Sequence, residues 1–118
     1  MESAVREELS AFLSRSGGQA LGVVLSRKDG LPVASVAPGV EPKLVSALTA
    51  LALGSLRRMG EELKVGATKQ VVAYFENRLV LVWPVKDLYI VVLATSDANL
   101  GLLLLEVERL ANRLSNIL

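Results

Sequence analysis

Three β-rich runs follow one another so closely in the second half of this 118-residue chain that only one kind of connection can join them. They are Thr68 to Phe75, Leu79 to Val85 and Leu88 to Thr95, separated by Glu76-Asn77-Arg78 and by Lys86-Asp87. A parallel crossover needs a dozen or more residues, so links this short force antiparallel neighbours and predict a three-stranded meander. In the last two runs Val80-Leu81-Val82-Trp83 and Ile90-Val91-Val92-Leu93 are apolar at successive positions. Unbroken apolar character, in place of alternation, means that both sheet faces are covered, and helices are therefore expected on both sides.

The rest of the chain supplies those helices and two further strands. Val5, Leu9, Phe12 and Leu13 recur at helical spacing before Gly17-Gly18, so Glu2 to Ser16 reads as an amphipathic helix. Gln19 to Arg27 and Val33 to Ala37 flank Lys28-Asp29-Gly30, a hairpin signal because an Asp-Gly turn readily supplies the positive φ that a tight reversal needs. Pro32, at the entrance of the second run, lacks a backbone donor and suits an edge strand. Pro42 sits well in the first turn of a long helix running from Glu41 to about Leu63 through Leu44, Leu48, Leu51, Leu56 and Met59. Ser96 or Asp97 is positioned to cap a last helix, whose stripe is Leu100, Leu103, Leu104, Val107, Leu110, Ala111, Leu114 and Leu118, with Glu106, Arg109 and Arg113 decorating its other faces. The predicted order is αββαβββα. No repeat, linker or low-complexity segment interrupts it, so residues 1–118 are expected to form a single domain.

Charge and composition narrow the function. Thirteen basic and twelve acidic residues leave a net charge of +1 and are interspersed along the chain, which provides no electrostatic footprint for nucleic acid. The sequence contains neither cysteine nor histidine, so zinc sites of the usual kind, thiol nucleophiles, disulfides and the ordinary neutral-pH acid/base are absent. No metal or cofactor is expected. Glu2, Arg6, Glu7, Glu8 and Arg15 interrupt the first segment where a secretory signal would be apolar. The longest uncharged stretch, Leu44 to Leu56, falls short of the ~20 residues a spanning helix requires. A cytoplasmic protein without membrane insertion is expected.

The element order, together with the first hairpin Gly22-Val23-Val24-Leu25-Ser26-Arg27-Lys28-Asp29-Gly30-Leu31-Pro32-Val33-Ala34-Ser35, resembles the Roadblock family of dynein light chains and MglB-like prokaryotic GTPase regulators. The Ala- and Leu-rich second helix from Leu44 to Leu63, the run Leu79-Val80-Leu81-Val82 and the stretch Asp97-Ala98-Asn99-Leu100-Gly101-Leu102-Leu103 extend the match over nearly the whole chain. The resemblance implies an α/β (α+β) fold with a five-stranded antiparallel sheet between one helix and a pair of helices. It further implies a homodimer, or a heterodimer with a Roadblock paralogue, formed through the second helix and the third strand. Such dimers serve as platforms for Ras-like small GTPases or as adaptor subunits.

The candidate site residues follow from that expectation. On the second helix Leu44, Leu48, Leu51, Ser55 and Met59 form one stripe, and Ala47, Ala50 and Gly54 form a small-residue track beside it. The track either meets its counterpart in a second subunit, with Arg57, Arg58 and Glu61 near the rim, or fits the helix to its own sheet; the resemblance favours the dimer. The run from Thr68 to Glu76 corresponds to the family's third strand and sets Gln70, Val72 and Tyr74 opposite Val71, Ala73 and Phe75. As an edge strand it would offer unpaired backbone groups to a second subunit.

Other motifs carry blander readings. Arg57-Arg58 suits the negative end of a helix better than an arginine finger. Gly17-Gly18 and Asp29-Gly30 lack the spacing of a phosphate-binding loop, and Glu7-Glu8 and Glu61-Glu62 point in different directions on their helices. Leu102-Leu103-Leu104-Leu105 extends beyond one buried stripe, so Leu102 or Leu105 is either a partner contact or an ordinary exposed leucine. The functional expectation is a non-enzymatic module that binds a Ras-like small GTPase and biases its nucleotide state. The alternatives are a small-ligand sensor with a pocket between layers or a dynein-type adaptor subunit.

Overall fold

The computed structural model describes residues 2–118 and has the expected order: α1 (Glu2–Arg15), β1 (Ala20–Arg27), β2 (Pro32–Val36), α2 (Pro42–Glu62), β3 (Val71–Tyr74), β4 (Arg78–Val85), β5 (Leu88–Thr95) and α3 (Leu100–Ser115). The strands form one antiparallel sheet in the order β2-β1-β5-β4-β3. The two-residue Lys86-Asp87 turn joins β4 to β5 in register, with Val85 opposite Leu88. Pro84 is tolerated in β4 because β3 pairs only as far as Val82, so this end of β4 has no neighbour on that side.

Alternation along the strands divides the apolar side chains between two layers. Leu79 and Leu81 of β4 and Ile90, Val92 and Ala94 of β5 face α1 and α3, where they pack with Val5, Leu9, Phe12, Leu103, Val107, Leu110 and Leu114 as the principal core. Val82 and Val91 point the other way and join Val24 and Leu53 in a much smaller cluster under α2. Both faces are thus apolar, as the unbroken runs implied, but they are unequally covered.

Local chemistry explains several boundaries. At the β1–β2 hairpin Gly30 has φ 94°, Gly30 N donates to Arg27 O and Arg27 N donates to Leu31 O, which makes a three-residue loop ending in a left-handed residue. Asp29 reinforces it by accepting from Leu31 N and pairing with Arg27. Helix α2 starts as expected at Pro42 and ends in a Schellman motif in which Lys64 takes φ 57° while Lys64 N and Val65 N donate to Glu61 O and Gly60 O.

Two expectations need correction. Helix α3 is capped by Asn99, whose side chain accepts from Leu102 N, and not by Ser96 or Asp97; Ala98 N donates to Thr95 O, so those two residues belong to a turn. The third strand is four residues long and not eight. Residues 65–70 are exposed and fold back past the end of α2, so closely that a methyl group on Gly60 would lie 2.3 Å from Gly66 O. Among the described residues no helix is long and apolar enough to cross a membrane.

Candidate interaction surface

Helix α2 presents its residues in an unusual sense. The side against the sheet carries Ser46, Thr49, Leu53 and Gly60, with Val45 and Leu56 half-buried beside them. The leucine stripe faces away: Leu48 is 56% exposed and Leu51 70% exposed, with Leu44 and Met59 similar. Of the twelve large apolar side chains exposed among the described residues, eight fall between Leu44 and Phe75. Scattered exposed leucines are ordinary, but a concentration along one helix, the segment that follows it and the adjoining edge strand marks an interaction surface.

The sheet beside that helix is also uncovered. Helix α2 packs on β1, β2 and β5, leaving an apolar groove of about 340 Å³ over β3 and β4, walled by Val45, Leu48, Ala52 and Leu56 on the helix and by Ala73, Phe75 and Val80 on the strands. Its outer boundary is β3, the edge of the sheet. Phe75 N donates to Arg78 O, and pairing in an antiparallel ladder alternates, so Ala73 and Val71 also turn inward to β4. The backbone groups of Val72 and Tyr74 therefore face outward, available to another strand.

The candidate residues of the sequence fall at three places around this surface. Leu51 lies on the exposed ridge, and Arg58 is exposed near its end with no carboxylate partner among the described residues. Ala47 and Ala50 sit beside the hairpin tip, where a methyl group on Gly30 would come within 3.5 Å of Ala47 Cα and 3.4 Å of Ala50 Cβ. These two small residues let the chain's own hairpin approach the helix. Gly54 and Arg57, by contrast, line a polar cleft together with Gln70, which stands just ahead of β3. On β3 itself the anticipated alternation holds: Val72 packs toward the principal core, Val71 and Ala73 line the α2 side, and Tyr74 is exposed.

Some features escaped the sequence reading. Glu106, expected on a solvated face, is buried between helices, its side chain 6% exposed and its Oε1 3.4 Å from Arg15 Nε and 3.5 Å from Arg109 Nη1. The pairing joins α1 to α3 across 91 positions of sequence, and no local pattern reveals it. Leu105 is exposed and Leu102 half-buried. The groove over β3 and β4 was also missed, because apolar runs reveal that a face is buried without revealing what buries it.

Comparison with known proteins agrees with this architecture. The Myxococcus xanthus protein MglB superposes with a TM-score of 0.88 at 15% identity, covering 98% of this chain and 87% of MglB. A Roadblock/LC7 domain from Streptomyces avermitilis superposes at 0.83 with 22% identity over 94% of both chains. In sequence, the Ragulator complex protein LAMTOR3-B of Xenopus laevis is 33% identical over 112 residues, 90% of this chain and 89% of its own length. The uncharacterized protein MJ0310 of Methanocaldococcus jannaschii is 32% identical over 94 residues, 79% of this chain and 82% of its own. The family profile described as mitogen-activated protein kinase kinase 1 interacting matches residues 3–118, and the chain, with its Roadblock fold, belongs to that family.

Proposed function

We propose that the chain is a non-enzymatic regulatory module that forms a dimer through α2 and β3 and uses the dimer to bind a Ras-like small GTPase, biasing its nucleotide state. The observation that carries this reading is the outward leucine ridge beside an unpaired edge strand. A second copy placed about a two-fold axis would cover the ridge, fill the groove and pair the backbone groups of Val72 and Tyr74, removing three exposed apolar or polar features by one contact. The fold shared with MglB supports the GTPase assignment, and the absence of cysteine and histidine supports action by binding. A homodimer and a heterodimer with a Roadblock paralogue use the same surface.

Biasing a nucleotide state requires different affinities for the GTP and GDP forms. The identifying experiment is capture with the tagged protein from lysate of its own organism, once with a non-hydrolysable GTP analogue and once with GDP, with mass spectrometry of what is retained. A small GTPase recovered in one nucleotide state supports the reading; recovery that ignores the nucleotide rejects it. The 33% identity to a named subunit of the Ragulator complex favours a second reading, an adaptor subunit without nucleotide discrimination. Recovery of other complex components and no GTPase would establish that reading instead.

A further inference from the structure

The cleft that receives Gly54, Arg57 and Gln70 has a composition unlike the apolar groove next to it. Its volume is about 250 Å³, and its charged lining is Lys28 from the β1–β2 turn, Arg57 from α2 and Lys69 from the segment before β3, with no carboxylate. Three cations delivered by three separate stretches of chain therefore converge on one concavity. Four ion pairs form elsewhere among the described residues: Arg27 with Asp29, Arg15 and Arg109 with Glu106, and Arg113 with Glu8. None of the three cleft cations has such a partner. Arg57 makes no ion pair even with Glu61, one helical turn further on, and Asp29, beside Lys28, is already engaged by Arg27.

We propose that this cleft binds a small anion bearing phosphate groups. Like charges held together around a partly enclosed space focus a positive potential that a multivalent oxyanion neutralises. A guanidinium donates two parallel hydrogen bonds to phosphate oxygens and an ammonium supplies a mobile point charge, so one arginine between two lysines suits that chemistry. The neutral lining adds polar groups at Thr68, Gln70 and Tyr89, and Leu53 and Val71 form an apolar wall for the organic part of such a molecule. Lys28 Nζ rests 5.8 Å from the centroid of the Tyr89 ring, which holds it at the mouth without consuming its charge. Gly54 keeps the floor open, since a Cβ there would meet nothing within 4 Å. The space has room for a phosphate group with a small body attached.

All of the lining belongs to a single chain, and the test is read separately from the dimer and from the GTPase. The uniformly ¹⁵N-labelled protein is titrated with inorganic pyrophosphate and, in parallel, with citrate at 50 mM salt, with sedimentation run on the same samples to record the oligomeric state. Saturable shifts are expected at the amides of Gly54, Lys69 and Gln70, with pyrophosphate tighter than citrate and binding weakened by raising the salt to 200 mM. Lys28→Gln with Lys69→Gln, both exposed and therefore harmless to folding, should weaken pyrophosphate at least about tenfold. Shifts that never saturate, shifts spread over the basic residues of the whole surface, or unchanged affinity in the double variant would overturn the site. Tighter binding of citrate would overturn the phosphate assignment.

Discussion

Replacing Leu51 with alanine separates the role of α2 as an interface from its role in folding. Leu51 is 70% exposed in the single chain, so little of its side chain contributes to the chain's own core. Alanine lacks three of its carbons, worth about 2.4 kcal/mol on full burial at ~0.8 kcal/mol per carbon, of which ~70%, or ~1.7 kcal/mol, remains to be gained on association. A two-fold dimer buries two copies, so Leu51→Ala should cost about 3.4 kcal/mol of dimerisation, roughly a 300-fold weaker dimer constant. The stability of the isolated chain should change by less than about 0.5 kcal/mol, as for an exposed position. Sedimentation equilibrium over a broad concentration range measures the first quantity, and urea unfolding below the dimer constant measures the second. A dimer constant within threefold of the parent would show that the ridge is not the contact. A loss of several kcal/mol in the monomer would show that Leu51 belongs to the core.

Three further outcomes test other parts of the structure. Gly60→Ala places a methyl group 2.3 Å from Gly66 O and should destabilise the chain by about 2 kcal/mol, the clash outweighing alanine's helical advantage of ~1 kcal/mol, with a Tm lower by ~8 °C in calorimetry; an unchanged or higher Tm would contradict the packing of residues 65–70. Glu106→Ala removes the carboxylate between Arg15 and Arg109 and should cost about 1–3 kcal/mol in denaturant unfolding, because Arg15 is left partly buried without its counter-charge; a neutral result would show that solvent reaches the junction. Amide hydrogen exchange at Val72 and Tyr74 should be fast in the Leu51→Ala monomer and slowed at least tenfold in the dimer, and equal rates would place the second copy away from β3.

How much of this was legible from sequence differs by element, for physical reasons. Strands β4 and β5 and their two-residue turn were read almost to the residue, since consecutive apolar positions and a short link leave one solution. Helix α3 was equally plain because its stripe does face the core, apart from the buried Glu106, whose partner is distant in the chain. The third strand was read too long because Thr68 to Gln70 look β-like, whereas Gly66 and the close approach to Gly60 hold that segment off the sheet. Helix α2 was recognised as a helix, and its leucine and alanine tracks were seen, but a periodicity does not say which stripe meets the chain's own sheet. Here the inward stripe is Ser46, Thr49, Leu53 and Leu56, and Leu44, Leu48, Leu51 and Met59 face outward. Of the candidate site, Leu51, Val72 and Tyr74 stand where an interface would use them; Ala47 and Ala50 serve the hairpin at Gly30 as well, a contact between segments that no local pattern encodes.

On the proposed function, this surface assembles a platform that distinguishes the two states of a small GTPase. The most direct measurement is calorimetric titration of the purified chain with the GTPase captured from its own organism, loaded with a non-hydrolysable GTP analogue or with GDP, and repeated with Leu51→Ala. Kd values at least about tenfold apart between the nucleotide states, equivalent to ~1.4 kcal/mol of bias, are expected, with loss of tight binding in the variant. Equal affinity for both states, or full affinity in a monomeric variant, would contradict it.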